Sequence, residues 1–88
     1  MKINGEFILR QVTGENILVP VGKTALTING IITLNPVSLE IWQGVENSLT
    51  REEILKRILD KFEIDEKTAA EDLDDFLNQL RANGFLED

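Results

Sequence analysis

A chain of 88 residues, 42% hydrophobic and 28% charged, with no cysteine, histidine or tyrosine, suits one small folded domain spanning positions 1–88. The absent side chains remove the usual proton shuttle, thiolate nucleophile and phenolic acid, the best metal ligands, and any disulfide framework, so no catalysis, metal or cofactor is expected. The net charge of −7 is uneven: Met1 to Ser48 carries three bases against four acids and positions 49–88 six against twelve, so the second half repels phosphate and offers nucleic acid no basic stripe.

The opening MKINGEFILRQV has no apolar core ahead of a small-residue cleavage site, and no run approaches the roughly 18 apolar residues of a membrane span. A cytoplasmic protein with no membrane contact is expected. Phe7 to Val12 (FILRQV) and Asn16 to Pro20 (NILVP) are rich in Ile, Leu and Val and predict two strands. Thr13-Gly14-Glu15 between them fits a three-residue hairpin loop. Val21 to Leu26 has no clear period, so the course of positions 21–28 is left unassigned; Gly22-Lys23-Thr24 is like the end of a phosphate-binding loop, but Ile17 stands where that motif needs its first glycine.

Asn29-Gly30 is a strong turn dipeptide, and a third strand is expected from Ile31 to Leu34. Strand alternation puts Ile32 and Leu34 on one face and Ile31 and Thr33 on the other. The run contains neither charge nor proline, the devices that normally blunt a sheet edge, so either a peptide completes this edge or a helix covers it. Asn35-Pro36 then reads as an N-cap followed by a proline at the first helical position. The short first helix would turn Leu39, Ile41 and Trp42 inward and stop at Gly44, with Trp42 a core anchor rather than a binding aromatic.

Thr50-Arg51-Glu52-Glu53 matches a capping box, and Ile54, Leu55, Ile58, Leu59 and Phe62 form one apolar face of a second helix. A third helix runs from near Asp65 to a stop at Asn83-Gly84, with Ala69, Leu73, Phe76, Leu77 and Leu80 as its apolar stripe. Beside that stripe, Ala70, Asp74, Leu77 and Arg81 line up along one flank at i, i+4, i+7 and i+11. The acids Glu71, Asp72, Asp74 and Asp75 point in several directions and lack the loop spacing of a calcium site, which makes them a solvated face. Phe85-Leu86 closes the domain by folding back onto the core.

Taken together, FILRQV, NILVP, NGIITLN with its Ile-Trp helix, TREEILKRILDKFEID and DLDDFLNQLRANGFLED resemble the pyrroloquinoline-quinone biosynthesis D-protein family, from about Phe7 to Leu86. The resemblance implies an α+β, winged-helix-like domain: a three-stranded antiparallel sheet followed by three helices. It also implies a non-catalytic, cofactor-free function. Such a domain binds the leader of a ribosomally made precursor peptide and presents it to a modifying enzyme, often a radical S-adenosylmethionine enzyme. In that family the leader is added as an extra strand along the third strand. Carried over by position, Ile31, Ile32, Thr33 and Leu34 supply backbone hydrogen bonds, and the flank of Ala70, Asp74, Leu77 and Arg81 forms the opposite wall. A monomer or weak dimer is expected. The rivals are a winged-helix DNA-binding or transcription-related protein, disfavoured by the acids on the third helix, and a scaffold subunit that recruits a partner protein.

Overall fold

The computed structural model describes residues 1–27 and 30–88. They form two compact units, Gly5–Asn35 and a helical unit of Met1–Asn4 with Pro36–Asp88. In chain order the elements are β1 (Lys2–Ile3), β2 (Phe7–Val12), β3 (Glu15–Pro20), α1 (Thr24–Thr27), β4 (Ile32–Leu34), α2 (Pro36–Glu46), α3 (Arg51–Lys61), α4 (Glu66–Ala82) and β5 (Leu86–Glu87).

In the first unit β2, β3 and β4 make an antiparallel sheet in that order. The β2–β3 ladder runs from Phe7 opposite Pro20 to Val12 opposite Glu15, so the connection is two residues, not the three expected. Thr13 and Gly14 both take positive φ, 51° and 80°, the conformation whose twist suits a two-residue hairpin. Because side chains alternate, Phe7, Leu9, Gln11, Asn16, Leu18, Pro20, Ile32 and Leu34 share one face. Leu18 and Leu34 on it are buried. Ile8, Arg10, Val12, Glu15, Ile17, Val19 and Thr33 share the other, where Ile8 and Val12 remain 41% and 51% exposed.

Among the described residues four helices are present rather than three, the additional one being the single turn α1 within the segment that showed no period. It buries no side chain, and Leu26 is almost fully exposed. The turn is held by the Ala25 and Leu26 amides, which donate to the Gly22 and Lys23 carbonyls at 3.2 and 3.1 Å, and by the Glu6 amide, which donates to Thr24 Oγ1 at 2.8 Å. Asn29 of the expected Asn29-Gly30 turn lies, with Ile28, outside the described residues. β4 starts at Ile32, one position later than expected, and pairs back to β3.

In the helical unit Pro36 opens α2, which buries Glu40, Ile41, Trp42, Gly44 and Val45. Gly44, expected to end this helix, lies inside it. A Cβ there would stand 2.7 Å from Cγ1 of Ile54, so the glycine is the point at which α2 and α3 approach closely. The left-handed residue beyond the helix is Ser48, with φ of 59°. The capping box of α3 forms as expected: the Glu53 amide donates to Thr50 Oγ1 at 3.2 Å and the Thr50 amide donates to Glu53 Oε1 at 2.9 Å. Ile54 and Ile58 are fully buried while Leu55, Leu59 and Phe62 are half-buried. Asp65 caps α4 by accepting from the Thr68 amide at 3.1 Å, and all five stripe residues, Ala69, Leu73, Phe76, Leu77 and Leu80, are buried. After Gly84, at φ of 77°, the buried Phe85 and Leu86 lead into β5, which pairs with β1 as Ile3 opposite Leu86. The Asn4 amide extends that ribbon by donating to the Phe85 carbonyl at 2.8 Å.

Candidate functional site

The direction of the β4 backbone follows from the hairpin. Residues flanking a two-residue loop form a hydrogen-bonded pair, so Glu15 directs its N–H and C=O toward β2. Alternation along β3 then directs the groups of Asn16 and Leu18 toward β4, where they meet Leu34 and Ile32. Ile32 and Leu34 are thereby committed to the ladder, and Thr33, opposite Ile17, turns its N–H and C=O outward. Among the described residues no strand pairs with that side of β4. Thr33 is also exposed, as is Ile31 at 57%, just outside the strand. Of the four backbone positions expected to serve as a template, the structure places Thr33 on the free edge and sets Ile32 and Leu34 facing β3.

The α4 positions belong to the helical unit and line one flank of that helix, as their spacing requires. Ala70 is half-buried and Leu77 is buried with the apolar stripe. Asp74 is held by Arg51 of α3 through two bonds, Nε to Oδ1 at 2.7 Å and Nη2 to Oδ2 at 2.9 Å. Arg81 is held in the same manner by Asp88, at 2.9 and 2.8 Å, and also donates to Asn78 Oδ1 at 3.1 Å. The bond from Arg51 holds the Asp74 carboxyl below its usual range against a smaller opposing effect of burial, and the charges of Arg51 and Arg81 add to the lowering. Asp88 likewise raises Arg81, with Asp74 contributing. Arg51, Asp74, Arg81 and Asp88 are thus a row of alternating charge, bonded in two pairs that also feel each other. Arg51 and Asp88 carried no signal in the sequence, because Arg51 lies 23 positions from its partner on another helix and Asp88 beyond the end of α4.

A second charged cluster lies between α2 and α3. Glu40, only 4% exposed, accepts a hydrogen bond from Lys61 Nζ at 2.9 Å on Oε2, while its Oε1 lies 2.8 Å from Arg57 Nε as an ion pair. Burial pushes its pKa up, but the Lys61 hydrogen bond and the charges of both cations outweigh that and hold the carboxyl below its ordinary value. The cluster ties α2 to α3, which makes these three residues structural. Among the described residues no group of three or more acidic or metal-binding side chains is gathered around a common point, and no helix is long and apolar enough to cross a membrane.

The family model described as coenzyme PQQ synthesis protein D matches residues 6–86. A solved structure, TbiB1 in complex with the TbiA(beta) leader peptide, is similar over 99% of this chain and 95% of that one, with a TM-score of 0.76 and 28% sequence identity. None of the curated proteins matches the chain in sequence.

Proposed function

The chain belongs to the coenzyme PQQ synthesis protein D family, and from that membership we infer that it is a non-catalytic module that binds the leader of a ribosomally made precursor peptide and presents it to a modifying enzyme, a radical S-adenosylmethionine enzyme or another. The observation that carries the reading is the outward backbone of Thr33, on an edge without charge or proline, in a chain similar to a solved protein bound to a leader peptide. An extended peptide completes such an edge with main-chain hydrogen bonds, and side-chain contacts then supply selectivity. Within Ile31 to Leu34, Thr33 supplies the outward backbone groups of the template, and Ile32 and Leu34 hold the strand to β3. On α4, Ala70 leaves room for a peptide side chain, Asp74 and Arg81 read its charge, and Leu77 supports them from the core. The module works in the cytoplasm, as a monomer or weak dimer, without metal or cofactor.

Hydrogen exchange tests the reading with a candidate precursor leader peptide. In the free protein the Ile32 and Leu34 amides exchange slowly and that of Thr33 quickly; leader binding slows Thr33. Thr33→Pro removes the outward donor and is expected to weaken binding by about tenfold or more while the domain stays folded. Ile32→Pro instead removes a β3–β4 ladder bond and destabilises the sheet. Protection that appears around Arg57 and Lys61 and leaves Thr33 unchanged would place the leader on another face and sink the proposal.

A further inference from the structure

The outer face of the sheet is ordered in rows that cross the strands. Ile8 stands opposite Val19, and one step beyond the Leu18–Ile32 pair the register sets Ile31 beside Val19, so an apolar row crosses the sheet as Ile8, Val19 and Ile31. The neighbouring row is Arg10, Ile17 and Thr33, and it ends in a hydroxyl. Both rows run out at the open side of β4. There Ile31 is 57% exposed, whereas Val19 within the row is half-buried. A single exposed isoleucine is ordinary on a protein surface. Ile31 is set apart by its position: it ends an apolar row at the edge where Thr33 turns its N–H and C=O outward, with no strand beyond it among the described residues.

Cross-strand side-chain pairs on one face stabilise a sheet, and by this register Ile31 has such a neighbour on one side only. A strand added to β4 supplies the other. Antiparallel addition, more stable per residue and the pairing used throughout this sheet, sets one peptide residue opposite Thr33 and the residue two positions later opposite Ile31. Both project onto the outer face, and the residue between them projects onto the face of Ile32 and Leu34. The first extends a row that ends in a hydroxyl and tolerates a polar side chain. The second extends an apolar row, where a charge would lose water against Ile31 with nothing to pair with it. We propose that the Ile31 side chain selects an apolar residue, isoleucine, valine or an aromatic, at that position of the leader. The outer face of the sheet then reads the peptide in addition to the α4 residues. The inference rests on leader pairing at β4.

The probe is a phage-displayed library of random peptides of about twelve residues, longer than a typical strand. It is selected separately on the wild-type chain, Ile31→Glu and Ile31→Lys, which change an exposed side chain and are expected to fold as the wild type does. Among peptides that slow exchange of the Thr33 amide, the wild type is expected to enrich an apolar residue at one position. Ile31→Glu is expected to replace that preference with Lys or Arg, and Ile31→Lys with Asp or Glu, at the same position. A synthetic peptide of the wild-type-selected sequence should bind Ile31→Glu about threefold to tenfold more weakly and Ile31→Val almost unchanged. Peptides that protect Thr33 yet show the same preferences on all three chains overturn the role of Ile31 and leave pairing at β4 standing. Selected peptides that leave Thr33 unprotected, or a library from which none is enriched, overturn the pairing and this inference with it.

Discussion

The two compact units dispose of their apolar side chains in opposite ways. In the helical unit Ile41, Trp42, Val45, Ile54, Ile58, Ala69, Leu73, Phe76, Leu77, Leu80, Phe85 and Leu86 are buried; in the sheet unit only Leu18 and Leu34 are, among the described residues. The large apolar side chains left exposed, Ile8, Val12, Leu26 and Ile31, all lie in the sheet unit. The ion pairs Arg51–Asp74, Arg57–Glu40, Lys61–Glu40 and Arg81–Asp88 all lie in the helical unit. One unit buries its apolar side chains and ties its helices with ion pairs, while the other leaves large apolar side chains exposed. Local opening free energy follows buried apolar contact, so the edges of the sheet belong to the part of the molecule that reorganises at least cost.

The largest test of that contrast is a pair of truncations. Ile54→Ala empties a fully buried site between α2 and α3 and is expected to cost about 2 to 5 kcal/mol in urea unfolding. Val12→Ala removes two methyl groups from a half-exposed site on β2 and is expected to change stability by no more than about 0.5 kcal/mol. Comparable losses from the two would erase the distinction between the units.

Next in size is the buried carboxylate. Glu40→Ala leaves Arg57 and Lys61 without their anion, but these are 44% and 62% exposed and can turn to water, so the expected cost is about 1 to 3 kcal/mol, below that of stranding a fully buried charge. Glu40→Met fills the same space without a charge and is expected to be nearly neutral. The pH dependence has a definite sign. A carboxyl whose folded pKa lies below its ordinary value of 4.5 stabilises the fold above that value and loses the contribution as the pH falls through the folded pKa. Wild type should therefore lose stability relative to Glu40→Met as the pH falls below about 4.5, read from Trp42 fluorescence in the same unit; a difference unchanged at lower pH would deny the carboxylate its role.

The helical unit was also the more legible in sequence. Its helices announce themselves through local signals: a 3.6-residue apolar period in Ala69, Leu73, Phe76, Leu77 and Leu80, the Thr50 capping box, Asp65 at one end of α4 and Gly84 beyond the other. What escaped depends on contacts distant in sequence. Gly44 reads locally as a helix stop, and only the proximity of Ile54 gives it a different purpose. Glu40 between Leu39 and Ile41 is an acid amid apolar residues, a sign of burial, but its partners lie on the next helix. α1 and the β1–β5 ribbon are too short to carry a period at all. The strand-three residues were placed by alternation, yet which of them faces outward requires the register with β3, and that register requires the length of the β2–β3 turn.

The smallest expected effect lies where the stable unit would meet a peptide by charge. Arg81 already holds Asp88 with two hydrogen bonds, so an acidic leader residue gains only an exchange of one partly exposed carboxylate for another. Arg81→Glu is accordingly expected to weaken binding of such a leader by roughly 0.2 to 1 kcal/mol, a factor of about 1.5 to 5 in Kd by isothermal titration. Asp88→Asn is the complementary control: it weakens the internal competitor, keeps the arginine, and should leave affinity equal or somewhat higher. Both variants should protect Thr33 as the wild type does on leader binding, since the backbone pairing does not involve either side chain. A loss of tenfold or more from Arg81→Glu would instead mean a guanidinium sealed from water in the complex, with charge rather than the β4 edge as the main source of affinity.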